Sequence, residues 1–132
     1  MSANLDLVKS IYAAWEKGDF GSADRADPEI DFAMAGGLIE GRWKGIDEMA
    51  DAWGAMLAAY DALIAVPEEF RELDEERVLV FLTNAGRGRE SGIEIGPIST
   101  RAANVFKVRD GKVTELTLYW SRERALEELD LS

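Results

Sequence analysis

The chain has 132 residues, which is the length of one average domain and predicts a single domain over 1–132. Its 26 acidic and 15 basic residues give a net charge of −11, which argues against binding to nucleic acids or to anionic membrane surfaces. The sequence contains neither cysteine nor histidine, which excludes disulfides, thiolate nucleophiles, histidine-based triads and metal sites built on these ligands. Catalysis would have to use carboxylate, tyrosine, lysine, arginine, asparagine or tryptophan side chains, or an external cofactor. We expect no metal and no cofactor.

The cellular location of the protein is predicted from the lack of targeting signals in this sequence. The N-terminal residues lack the charged and apolar regions of a signal peptide, and no apolar run is long enough to span a membrane. We expect a cytoplasmic protein.

The first part of the chain combines helical and extended patterns. Apolar residues spaced three and four apart predict a helix over 5–17, and Asp19 is placed to cap a short second helix over 20–25. Asp27-Pro28 marks a break, after which alternating apolar residues predict a strand over 30–34.

The middle of the chain contains the longest predicted helix. A turn-rich connection over 41–45 leads into this helix, which spans 46–62 and carries an apolar stripe on one face. After it the apolar period changes from 3.6 to 2, which predicts four antiparallel strands, over 63–73, 78–85, 99–108 and 113–121.

Glycine-containing segments connect the later strands. The stretch over 86–92 predicts a flexible loop or a bulged hairpin, and Asp110-Gly111 predicts a tight turn. A final helix is predicted over 122–129. Helices packed on one face of an antiparallel sheet make this an α+β fold.

Three segments carry the motifs of a known family. They are VKSIYAAWEKGDF over 8–20, EGRWKG over 40–45 and VFKVRDGKV over 105–113, and the glycine-rich stretch over 86–92 is similar to one in bacterial members. Together and in this order they resemble the SnoaL-like branch of the nuclear transport factor 2-like superfamily. The resemblance covers nearly the whole chain.

The resemblance implies a cone, in which a curved antiparallel sheet wraps around the long helix and encloses an apolar pocket. Members include polyketide cyclases, ketosteroid isomerases, limonene epoxide hydrolases, dehydratases and non-catalytic modules. Homodimers formed through the outer face of the sheet are common among them, so the resemblance also implies a homodimer here.

The catalytic patterns of these enzymes are not intact in this sequence. Aligned on the end of the first helix, the tyrosine, base and acid positions of the ketosteroid isomerases fall at or near Ile11, Ala33 and Asn104. The last strand lacks the aspartate of the limonene-type hydrolases, and the histidine of the SnoaL-type cyclases is missing. The resemblance therefore predicts the fold more strongly than any one reaction.

Two carboxylates are candidate bases. The alternation of a strand places Glu68 on the same face as Val66 and Phe70. Burial on that face would raise the pKa of Glu68 into a range useful for acid–base catalysis. The alternative is a solvated carboxylate on an edge strand. Asp31 lies on the first strand where a base could sit, and its alternative is an outward position opposite Ile30 and Phe32.

Two further residues are candidate hydrogen-bond partners for a substrate oxygen. Tyr12 lies on the apolar stripe of the first helix and could donate to an oxyanion, or it could be a core aromatic residue. Asn104 shares a strand face with Phe106 and Val108 and could orient a ligand carbonyl, or its amide could be satisfied by the backbone.

A larger set of residues is predicted to line the pocket or its mouth, with core packing as the alternative for most of them. For Tyr119 the alternative is a dimer interface, and for Arg87 it is an ion pair on the surface. The set is Trp15, Phe32, Trp53, Met56, Tyr60, Phe106, Tyr119 and Arg87.

These features predict a SnoaL-like protein whose pocket takes a small hydrophobic or polyketide-like molecule, with cofactor-free isomerisation, cyclisation or hydration as the reaction of an enzyme. The alternatives are a non-catalytic ligand-binding domain and a dimeric interaction module. An open cavity with a carboxylate inside favours the enzyme, an open apolar cavity favours the binding domain, and a filled cavity favours the interaction module.

Overall fold

In the described part of the chain the fold is an α+β arrangement of three helices and a six-stranded curved sheet, which confirms the predicted class. A computed structural model describes residues 3–16, 26–36, 40–90 and 93–130, with the backbone alone at 16, 60–64, 86–90 and 93–100. The predicted short helix over 20–25 lies outside the described residues. The elements are α1 (Ala3–Glu16), β1 (Ala26–Ala35), β2 (Gly41–Lys44), α2 (Ile46–Ala59), β3 (Tyr60–Glu72), β4 (Arg77–Glu90), β5 (Ile93–Arg109), β6 (Lys112–Tyr119) and α3 (Arg122–Glu128).

The sheet has the strand order β2-β1-β6-β5-β4-β3. Four of its five pairings are antiparallel, as predicted, but β1 pairs with β6 in parallel, so the sheet is mixed. Among the described helices none is long and apolar enough to cross a membrane.

The first strand begins earlier than the sequence predicts. Asp27-Pro28 was expected to break the chain, yet both residues belong to β1. The pairing of β1 with β6 is irregular between Ala26 and Asp31, so Pro28, which has no N–H to donate, lies where the ladder is interrupted.

The predicted turn over 41–45 is a strand for most of its length. Gly41–Lys44 forms β2 and pairs antiparallel with β1 over Asp31 to Met34. The turn itself is confined to Gly45, which directly precedes α2. Its φ of +88° is a backbone conformation that suits glycine.

The long helix ends three residues before its predicted end. Tyr60 and Asp61 already pair with β4, so sheet pairing replaces the helical pattern there. The stretch over 86–92 contains the bulged hairpin that was one of the two predicted alternatives, because β4 and β5 pair up to Glu90 and Ile93 with an irregularity after Gly88.

The core has two parts, one on each face of the sheet. The larger part lies between the sheet, α1 and α2, and the smaller part lies between the sheet and α3. Successive residues of β4 alternate between them, with Val80 in the first and Leu79 and Phe81 in the second. The expectation that all helices pack on one face is therefore wrong for α3.

The last helix is fixed to its face by defined contacts. Ser121 caps it by accepting a hydrogen bond from the backbone of Arg124. Arg122 donates to the backbone carbonyls of Leu82 and Ala102, and its guanidinium lies over the Phe81 ring at 4.8 Å. Hydrogen bonds to two adjacent strands therefore join α3 to the middle of the sheet.

Candidate functional site

A cavity of about 300 Å³ lies between α1, α2 and the inner face of strands β1, β5 and β6. The described residues that line it carry no ionisable side chain, so its wall is apolar. They are Ile11, Trp15, Ala26, Ile30, Ile46, Met49, Ala50, Trp53, Gly54, Leu57, Phe106, Val113 and Leu116.

Three of the predicted ligand-binding residues lie in this wall, and all three are aromatic. Trp15 on α1 and Trp53 on α2 contact each other with ring centroids 5.0 Å apart. Phe106 on β5 lies 6.2 Å from Trp15, centroid to centroid, and is almost completely buried. The inner stripes of both helices and the inner face of the sheet thus bring one ring each to the cavity.

Two other predicted ligand-binding residues pack in the core next to this wall. The Phe32 ring is buried and lies 5.8 Å from that of Trp53, and Met56 is buried in the same core. Neither belongs to the described residues that line the cavity. For these two, the structure shows the core packing that was the alternative to ligand contact.

Tyr12 and Asn104 form a buried polar pair. The Asn104 side-chain amide donates a hydrogen bond of 2.6 Å to the Tyr12 hydroxyl, and the two residues are 5% and 4% exposed, respectively. The structure thus joins two residues 92 positions apart in the sequence.

This pair is separated from the cavity by aromatic rings. The Tyr12 ring makes edge contacts with Trp15 and Phe106, which themselves line the cavity, and with Phe70, which is not among the described lining residues. Burial raises the pKa of Tyr12 above its ordinary value, and the hydrogen bond from Asn104 opposes this only in part. At neutral pH the hydroxyl is therefore protonated and cannot act as a base.

Glu68 lies on the outer face of the sheet, away from the cavity. A bulge between Pro67 and Glu69 reverses the expected alternation, so Glu68 no longer shares a face with Phe70. Its carboxylate accepts hydrogen bonds from Arg122 at 2.7 Å and Thr83 at 3.0 Å.

The pKa of Glu68 shifts in the direction opposite to the one needed for a base. The hydrogen bond from Arg122, followed by that from Thr83, lowers the pKa of this exposed carboxyl. The structure therefore matches the alternative interpretation, a solvated carboxylate on an edge strand.

Asp31 also points away from the cavity. Its neighbours Ile30 and Phe32 are buried, while Asp31 is exposed and forms an ion pair of 3.1 Å with Lys44 on β2. This is the outward placement that was the alternative to a catalytic role, and it leaves the cavity without either predicted carboxylate.

Tyr119 belongs to the smaller core beneath α3. Burial, with the charge of Glu128 next in importance, raises the pKa of its hydroxyl. The prediction that Tyr119 reaches the pocket is not met, because the tyrosine faces the opposite side of the sheet from its neighbour Leu118. The side chains of Tyr60 and Arg87 lie outside the described residues.

The sequence prediction missed several cavity residues that carry no chemistry of their own. Met49 and Leu57 were visible as part of the apolar stripe of α2, but nothing local distinguishes a residue beside a cavity from one in a filled core. Gly54, a glycine inside a long helix, was the one unusual signal. In the part of the chain that the structure describes, no three metal-ligating side chains come together.

Solved structures with the same fold cover almost the whole chain. An NTF2-like protein of unknown function from Burkholderia pseudomallei matches with 19% identity and a TM-score of 0.77, over 96% of this chain and 97% of its own. TerC, co-crystallised with polyporic acid, matches with 21% identity and a TM-score of 0.74, over 97% and 98%. A putative SnoaL-like polyketide cyclase from Mesorhizobium loti has 14% identity and a TM-score of 0.72, over 91% and 100%.

The family follows from the sequence as well as from the fold. No curated protein matches the chain with significant similarity. The model of the SnoaL-like domain, however, matches residues 8–116, which include most of α1, all of α2 and the first five strands, and most of β6. The chain belongs to the SnoaL-like domain family.

Proposed function

We propose that this SnoaL-like domain binds a small, uncharged, mostly apolar molecule in the cavity between α1, α2 and the sheet. The observation that carries the proposal is a cavity of about 300 Å³ whose described lining residues include no ionisable side chain. This volume is at the lower end of the range for small-molecule sites.

The volume limits the size of the ligand. A cavity of about 300 Å³ suits a compact molecule of one or two rings better than a drug-sized one. Molecules such as indole or naphthalene fit within this limit. A larger ligand would have to extend out of the cavity.

The character of the wall limits the charge of the ligand. An ion transferred into apolar surroundings loses its hydration and would find no charged partner on the described wall. The net charge of −11 adds a general repulsion for anions. Both effects favour an uncharged molecule.

The aromatic rings of the wall favour an aromatic ligand. Trp15, Trp53 and Phe106 offer faces and edges to a bound ring, and such contacts contribute about 0.5–1.5 kcal/mol each beyond the burial of area.

Binding of indole is expected to shift the Met49 methyl resonance. Met49 lines the cavity, whereas Met34 is buried in the core elsewhere and provides an internal control. In a titration of protein labelled at the methionine methyls, we expect Met49 to shift by the ring current of the ligand while Met34 moves little. We expect a Kd on the order of 1 mM or tighter.

A variant that fills the cavity provides the control. Ala26→Leu adds three carbons to a wall residue, so it should lower the indole affinity at least tenfold while preserving the methyl spectrum of the folded protein. Equal affinity in the variant, or no Met49 shift in the wild-type protein, would contradict the proposal.

A second candidate function is polarisation of a carbonyl group by Tyr12 and Asn104. The supporting observation is the 2.6 Å hydrogen bond, in which the tyrosine oxygen accepts and its own proton stays available for a substrate oxygen. Trp15 and Phe106 would have to move before a ligand could reach this proton. Solvent hydroxide would have to remove the α-proton, because the described wall carries no base, while the Tyr12 hydroxyl hydrogen-bonds the carbonyl oxygen. Exchange of the α-hydrogens of a small aryl ketone with deuterated water at alkaline pH, abolished in Tyr12→Phe, would favour catalysis over binding alone.

A further inference from the structure

Helix α2 contains a glycine that packing does not require. Gly54 lies in the interior of Ile46–Ala59, where glycine weakens a helix relative to alanine. Glycines in such places commonly allow another segment to approach closely. At Gly54, however, an added Cβ would meet no described residue within 4 Å, so close approach of another described segment does not explain the glycine.

Gly54 lies where the cavity meets solvent. Of the described residues that line the cavity, only Ala50 and Gly54 are exposed, and the others are buried or half-buried. The two are one helical turn apart, so they lie next to each other on the same side of α2. They are also the two smallest kinds of side chain that a helix can place there.

We infer that Ala50 and Gly54 form the entrance through which the ligand passes into the cavity, and that the small size of residue 54 keeps this entrance open. The inference rests on the proposed binding function and deepens it. Because the entrance lies on the surface of a formed helix, a ligand of indole size passes without unfolding of α2. A larger side chain at position 54 would stand in the open space beside the entrance.

If ligand enters beside Gly54, the Gly54→Leu variant should bind and release indole more slowly than the wild-type protein. At half-saturation with indole, relaxation dispersion of the Met49 methyl measures the exchange rate between free and bound protein. We expect Gly54→Leu to slow this exchange at least tenfold. Ala50→Leu, the second entrance variant, should slow it in the same direction.

A matched control separates the entrance from a general effect of the substitution. Ala55→Leu places the same side chain on the next residue of α2, which is exposed and is not among the described cavity residues, so the exchange rate should stay unchanged. Gly54→Ala is a graded entrance variant: its single added methyl group should slow exchange less than Gly54→Leu does, while the thermal midpoint rises by about 4 °C.

The possible results distinguish the inference from the proposed function. If Met49 shifts in the wild-type protein but both entrance variants exchange indole as fast as Ala55→Leu, the entrance is overturned and the binding function stands. If Met49 does not shift in the wild-type protein, both are overturned. If either folded entrance variant is selectively slowed, the entrance is supported.

Discussion

Replacing Phe106 with alanine is expected to lower the free energy of unfolding by about 3–5 kcal/mol. The ring is 1% exposed and packs against Tyr12 and Trp15, so its removal loses buried apolar area and enlarges an existing cavity. Chemical denaturation of the variant and of Phe106→Leu checks this. The leucine variant keeps most of the volume and should lose markedly less.

The same substitution is expected to change which ligands bind. Phe106 is part of the wall that separates the cavity from Tyr12, so its removal extends the cavity toward the Tyr12 hydroxyl. We expect 2-phenylindole to bind Phe106→Ala at least tenfold more tightly than the wild-type protein. A loss of less than 1 kcal/mol in stability together with unchanged affinity would show that Phe106 does not form this wall.

The second large effect is expected at the Tyr12–Asn104 pair. Tyr12→Phe leaves the buried amide of Asn104 without its acceptor, which costs about 1–3 kcal/mol. Asn104→Leu leaves the hydroxyl without its donor and should cost a similar amount. The double variant removes both the amide and the hydroxyl, so no buried polar group loses its partner. Its loss of stability should therefore be smaller than the sum of the two single losses by about 1 kcal/mol or more. Additive losses would contradict this coupling.

The pair also predicts a dependence on alkaline pH. The pKa of Tyr12 in the folded protein is raised above the ordinary value of 10.0, which is the value that applies to the unfolded chain. Above pH 10.0 the unfolded chain therefore loses this proton while the folded protein keeps it. The stability associated with the group is complete below that pH and is lost, by about 1.4 kcal/mol per pH unit, as pH rises toward the folded pKa.

A comparison of Tyr12→Phe with the wild-type protein isolates this effect, because other alkaline titrations occur in both. In urea denaturation between pH 9 and pH 11, the stability advantage of the wild-type protein should shrink above about pH 10. A constant difference between the two proteins over this range would show that Tyr12 ionises equally easily in the folded and unfolded states.

The parts of the fold that depend on local patterns could be predicted from the sequence. The first helix, the long helix and the Asp110-Gly111 turn follow from apolar spacing and turn residues, and the structure has α1, α2 and a turn with positive φ at both positions. The order of the described elements other than β2, which was predicted as a turn, followed from the same signals. Each of these features is decided within a few residues.

The parts that depend on distant partners could not be predicted. The parallel pairing of β1 with β6 and the packing of α3 on the second face involve residues far apart in the chain. The bulge beside Pro67 is set by the register with β4, and it placed Glu68 on the other face from the one that alternation assigns.

The candidate site likewise combines features that the sequence pattern predicts with features that depend on distant partners. Trp15, Trp53 and Phe106 were singled out as apolar residues of the correct faces, and the structure places all three at the cavity. Their role in binding stays a prediction. Tyr119 was placed incorrectly, because alternation separates it from Leu118 but does not tell which face of the sheet encloses a cavity.

A crystal structure of the protein soaked with 5-bromoindole tests the central claim most directly. The account predicts one strong anomalous bromine peak between α1, α2 and the sheet, within contact distance of Trp53 and Phe106. Bromine found only on the outer surface, or a cavity closed by the side chains that now line it, would contradict binding at this site.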